Sequence, residues 1–156
     1  MNYQISPLPL SEFQHLMNLD DESLARQGVI RLRADAKPGF PCRISLQDAE
    51  PGESVLLLNY EHQSVASPYR SSHAIIIREN AEQANPFVNK IPEQFRVRVL
   101  SVRGFDDTGM MIEADVVDGE NLESAIVEMF GNAAVEYLHI HNAKPGCFAA
   151  RVDRLD

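Results

Sequence analysis

Apolar and polar positions alternate at a period of two along most of this chain, and they follow a helical period in only two stretches. That pattern predicts a strand-rich fold with a few short helices. The first helical stretch places Phe13, Leu16, Met17 and Leu19 behind Ser11, which predicts an amphipathic helix capped by the Ser11 hydroxyl. Asp20, Asp21 and Glu22 then cap a second turn around Leu24. The second helical stretch carries Leu122, Ala125, Ile126, Met129 and Phe130 on one side and is expected to stop at Gly131.

The remaining pattern is extended. Strands are expected over 28–33, 41–46, 54–60, 73–78, 95–103 and 110–117. In 41–46, Cys42, Ile44 and Leu46 share a face that Arg43 and Ser45 oppose. In 95–103, Phe95, Val97 and Val99 oppose Arg96 and Arg98, and Leu100 and Val102 break that alternation. Asp106, Asp107, Thr108 and Gly109 form a reversal that makes the sixth of these strands a hairpin partner of the fifth. The chain closes on two more extended segments joined by a turn over 142–146, where Gly146 supplies the backbone freedom. In the first of them Tyr137, His139 and His141 project together, and the reversal brings Cys147 into a neighbouring strand.

Helix, several strands, one late helix and two final strands give no regular βαβ alternation, and neither GxGxxG nor GxxxxGK[ST] occurs. The expected class is α+β: a strongly bent, mostly antiparallel sheet, open or barrel-like, with two or more short covering helices. A length of 156 residues fits one domain spanning 1–156.

Composition narrows the function. The chain is 44% apolar and 24% charged, which argues against disorder. Its net charge is −9, and 104–143 contains no lysine or arginine, so a nucleic-acid partner is not expected. No apolar run is long enough to span a membrane and no basic leader precedes a hydrophobic segment, so a cytoplasmic protein with no membrane partner is expected. Cys42 and Cys147 are too few for a disulfide scaffold and are expected reduced. The pattern leaves oligomeric state and cofactor open.

The motifs with chemistry lie at four places. Lys37 to Arg43 reads KPGFPCR, 56–63 reads LLLNYEHQ, 67–72 reads SPYRSS, and 141–148 reads HNAKPGCF. Together they resemble a bacterial family known as domain of unknown function 1203, over Arg31 through Arg154. The resemblance implies a shared single-domain fold and carries no activity. The chain departs from it at His73, a position commonly glycine-bearing in similar sequences.

Three functions follow from these residues. A small-ligand-binding domain would use Arg43 and Arg70 to hold an anionic or carbonyl-containing molecule, with Tyr60, Tyr69 and Phe148 covering its apolar part and His62 beside them. A small-molecule enzyme would use His141 as proton carrier and Cys147 as nucleophile. A structural or protein-interaction domain would need neither set. A rim formed by Tyr69, Arg70 and His73 is chemically coherent for either ligand reading, although a histidine beside isoleucines is commonly a packing residue. His139, His141 and Cys147 are the sharpest candidate metal ligands, suited to zinc with water, His62 or an acid as fourth ligand.

Overall fold

Nine strands form two separate antiparallel sheets in the computed structural model, which describes residues 1–156. In chain order the strands are β1 (Asn2–Ser6), β2 (Ile30–Arg33), β3 (Ser54–Gln63), β4 (Ser71–Arg78), β5 (Phe87–Val88), β6 (Val99–Phe105), β7 (Met111–Asp118), β8 (Tyr137–Asn142) and β9 (Phe148–Leu155). The helices are α1 (Asp21–Arg26), α2 (Glu93–Arg96) and α3 (Leu122–Phe130). One sheet runs β5-β1-β9-β8-β6-β7 and the other β2-β3-β4. The fold is therefore α+β with open sheets, and no barrel closes.

β8 lies inside the larger sheet with one face toward α3 and the other toward the smaller sheet, and its alternation explains how. Leu138 and Ile140 join the larger core with Leu100, Val102 and the buried side of α3. In α3, Leu122, Ala125, Ile126, Met129 and Phe130 are all buried, at the spacing expected of an amphipathic helix. Burial of each larger side chain among them stabilises by about 1.5–3 kcal/mol. On its other face β8 turns Tyr137, His139 and His141 toward the smaller sheet, where Gln63 Nε2 donates to the Tyr137 hydroxyl at 2.8 Å. A second core, including Phe13, Leu24, Leu56, Ile75 and Phe148, fills the space under β3 and β4.

The hairpins form as expected. Asp106 Oδ1 accepts from the backbone N–H groups of Thr108 and Met110, both at 2.9 Å, and Gly109 takes φ +80. β8 and β9 pair from Tyr137↔Asp153 to His141↔Phe148, with Gly146 at φ +78 in the turn. Asp20 caps α1, accepting from Ser23 N–H at 2.7 Å.

Three local expectations are corrected, and one unanticipated strand is added. The 11–19 stretch forms two short 3-10 turns, Leu10–Glu12 and Gln14–Leu16, and Ser11 caps nothing. Residues Asn2–Ser6, unassigned by pattern, form β1. Residues 41–46 are bridges and turns in which Cys42, Arg43, Ile44, Ser45 and Leu46 are all buried, so the segment has no solvent face to alternate with. The strand expected over 95–103 begins only at Val99, after α2. Pro92 leads into α2, whose Gln94 and Phe95 are buried, while Val99 is 40% exposed and Leu100 fully buried. The break in alternation at Leu100 marks the junction of helical turn and strand.

Candidate functional site

A cleft of about 710 Å³ opens where the two sheets meet. Its walls come from five chain segments: Pro38, Gly39, Pro41 and Arg43; Leu57 of β3; His73, Ala74 and Ile76 of β4; Val97 to Val99; and the β8–β9 turn from Asn142 to Cys147. Arg43, Arg98 and Lys144 line it, and no carboxylate does. That excess of positive charge stands against a chain whose net charge is −9.

Arg43 is the polar centre of this wall. It is 1% exposed, and its guanidinium is held by three acceptors: Nε donates to Phe148 O at 2.8 Å, Nη1 to Pro41 O at 2.5 Å, and Nη2 to Cys147 Sγ at 3.0 Å. Burial pushes the guanidinium below its ordinary value, and the Cys147 sulfur opposes that push. No carboxylate pairs with it. Arg98 differs, because both its terminal nitrogens bond Asp48, at 3.1 and 2.8 Å. Arg43 and Lys144 are thus the two cationic groups of the cleft without an acidic partner.

Cys147 is half-buried at the cleft wall, and its sulfur also accepts from Asn142 Nδ2 at 3.6 Å. It forms no hydrogen bond to an imidazole. His141 instead points its Nδ1 at Gly146 O, 2.9 Å away, which makes that nitrogen the protonated one and leaves Nε2 with the lone pair. Nε2 is buried and has no partner.

Behind the cleft lies a cluster of imidazoles from both sheets. His62 Nε2 and His73 Nδ1 are 2.9 Å apart, and Ser71 Oγ lies 3.2 Å from the same His62 nitrogen. The nearest available ring nitrogens of His62, His73 and His141 fall within 4.8 Å of one another. Burial, then the neighbouring His73 and Arg103 charges, lowers His62 to about 4. Burial lowers His141 to about 3, with Arg103, His62 and His73 adding to it and the Gly146 carbonyl opposing. His139 and His73 are lowered mainly by burial as well. The rings are accordingly neutral at neutral pH.

The residues singled out by sequence divide between these places. Arg43 and Cys147 meet in the cleft, and His141 joins His62 in the cluster. His139 lies beside the cluster, its ring 5.7 Å from that of His62, but it is not among the three whose nitrogens converge. Cys147 faces Arg43 rather than those nitrogens. The structure therefore does not gather His139, His141 and Cys147 around one point. Phe148 stacks on His62 at 5.2 Å and Tyr60 lies 6.1 Å from Phe148, so both pack behind the cleft. Tyr69 stands over Phe105 at 6.3 Å, and Arg70 pairs with Glu61 at 3.3 Å, which leaves His73 alone of that rim in the cleft.

Lys144, Arg98 and Asn142 reach the cleft without having been singled out as site residues. Lys144 lies in the HNAKPGCF motif, and its place in a glycine-containing turn next to a thiol was the available signal.

A family model described as "Protein of unknown function (DUF1203)" matches residues 39–154, which include most of the cleft and all three converging histidines. No curated protein and no solved structure matches the chain.

Proposed function

We propose that this chain, which belongs to the DUF1203 family of proteins of unknown function, binds a small anionic molecule in the cleft between its sheets. The observation that carries the reading is the pairing of a buried Arg43 guanidinium with a cleft that holds Lys144 and no carboxylate. A buried cation lacking an acid partner is costly, and an anion bound beside it offsets part of that cost. Leu57, Ile76, Val97 and Val99 supply apolar wall for a short hydrocarbon portion, so a small carboxylate suits the cleft better than a bare inorganic ion. The reading treats 1–156 as one cytoplasmic domain with a small-molecule partner and no nucleic-acid partner. It assigns no reaction.

Thermal unfolding with a homologous series of short aliphatic carboxylates, each paired with its neutral amide, tests this directly. The carboxylates are expected to raise the melting temperature in a saturable way, the amides to leave it unchanged, and Lys144→Glu to weaken the response by about 10-fold or more in concentration. Equal responses to acid and amide, or none to either, would contradict the reading.

A further inference from the structure

We propose that His62, His73 and His141 form a binding site for a divalent transition metal of the zinc class, bridging the two sheets and built from imidazole nitrogens alone. The site goes beyond the anion-binding reading and does not rest on it.

The ligand atoms come from three strands: His62 from β3, His73 from β4 and His141 from β8. His141 is 0% exposed, and its Nδ1 is committed as donor to Gly146 O. Its Nε2 is therefore a buried lone pair with no donor to meet it. A buried acceptor in that condition keeps its full desolvation cost unless something satisfies it. His62 Nε2 and His73 Nδ1 face each other at 2.9 Å, where one proton serves two lone pairs. A metal satisfies all three nitrogens together, and the backbone bond on His141 then fixes its tautomer from the far side, as outer partners of metal-bound imidazoles do.

The distances suit the assignment. Zinc–nitrogen bonds of about 2.0–2.1 Å in tetrahedral geometry separate two ligand nitrogens by roughly 3.3 Å. The His62–His73 separation is 2.9 Å and every separation in the trio is within 4.8 Å, so modest ring rotations bring the set to that spacing. Imidazole ligands suit zinc, copper, iron and nickel, and the absence of a carboxylate from the trio disfavours magnesium and calcium. His62 Nδ1 is buried and makes no hydrogen bond.

Charge decides what completes the coordination. Arg103, on β6 opposite His139, adds positive charge beside the rings, and the trio itself contains no carboxylate. Three neutral imidazoles leave a divalent ion uncompensated beside that guanidinium, so the fourth ligand is hydroxide or another small anion. His73 also lines the cleft, so the site adjoins the space from which such an anion would come.

Cobalt(II) and zinc are the probes. The untagged chain, stripped with a chelator and titrated with cobalt under reducing conditions, is expected to take up one equivalent. It should show the visible ligand-field bands of a low-coordinate nitrogen site and no sulfur-to-cobalt charge-transfer band. Zinc should displace the cobalt stoichiometrically. His73→Ala and the milder His73→Asn, at a half-buried position on β4, should each weaken uptake by about 100-fold or more. Cys147→Ser and His139→Ala should leave the spectrum and affinity within a few-fold of wild type. Absence of stoichiometric uptake, uptake indifferent to both His73 variants, or a charge-transfer band lost in Cys147→Ser would overturn the assignment. Carboxylate-induced stabilisation of the stripped chain would persist in each of those cases if the anion-binding reading holds, so the two fail separately.

Discussion

Arg43 Nη2 lies 3.0 Å from Cys147 Sγ across a sequence separation of 104 residues, and this contact joins the 38–43 segment to the turn that ends β8. The same guanidinium holds the carbonyls of Pro41 and Phe148. Structure and site are therefore inseparable at Arg43, whereas Cys147 contributes one acceptor at the cleft wall.

That asymmetry orders two substitutions. Arg43→Met keeps most of the volume but leaves two buried carbonyls without a donor, and is expected to cost about 3 kcal/mol or more. Cys147→Ser keeps an acceptor for Nη2 and is expected to cost about 1 kcal/mol. Urea unfolding curves check the order, and a Cys147→Ser cost equal to that of Arg43→Met would contradict the role given to the backbone carbonyls.

Glu79 predicts part of the acid response. It accepts from Arg31 Nε and Nη2 at 3.0 and 2.8 Å, from Ser54 Oγ at 2.9 Å and from Asn18 N–H at 3.0 Å. The Arg31 hydrogen bond is the main reason its carboxyl falls from 4.5 to about 2. A carboxyl lowered in the folded state holds fewer protons there than in the unfolded chain, so its stabilisation is complete above 4.5 and fades as pH falls toward 2. Glu79→Gln is expected to be less stable than wild type at neutral pH, with the difference shrinking through that window. A difference that is constant with pH, measured by chemical denaturation, would show that the charge of Glu79 is not what matters.

Gly119 marks the closest backbone approach at a glycine. A Cβ there would lie 1.8 Å from Phe95 O and 2.8 Å from the carbonyl carbon of Arg96, so the end of α2 would have to move. Gly119→Ala is expected to cost about 3 kcal/mol, at the upper end for overpacking, because the obstacle is backbone. Because Val97 to Val99 form part of the cleft wall, the variant should also weaken the response to carboxylates. A melting temperature within a degree or two of wild type would contradict the close approach.

Periodicity was informative wherever one face of an element meets solvent. α3 and the β6–β7 reversal were legible for that reason, whereas β8, buried from Tyr137 to Asn142, was legible from the turn residues that follow it and from the strand geometry that makes Tyr137, His139 and His141 project together. Periodicity failed in 41–46, where every side chain from Cys42 to Leu46 is buried, and at α2, where one helical turn carries the same apolar spacing as a strand start. The site was half legible. Arg43 and Cys147 carry chemistry by residue type, but their meeting depends on the packing of the two sheets. The convergence of His62 and His73 on His141 depends on the pairing of β3 with β4 and an irregularity between Glu61 and Gln63, which no local pattern specifies.

The anionic preference proposed for the cleft can be tested at Cys147 itself without knowing the ligand. Cys42 is fully buried, so Cys147 is the thiol that alkylating reagents reach. The measurement is the ratio of alkylation rates by iodoacetate and iodoacetamide, set against the same ratio for a small free thiol in the same buffer. With Arg43 and Lys144 facing the incoming carboxylate, the ratio at Cys147 should exceed that of the free thiol by about 10-fold, fall with added salt, and collapse in Lys144→Glu. A ratio at or below that of the free thiol, unmoved by salt and by Lys144→Glu, would contradict an anion-binding cleft.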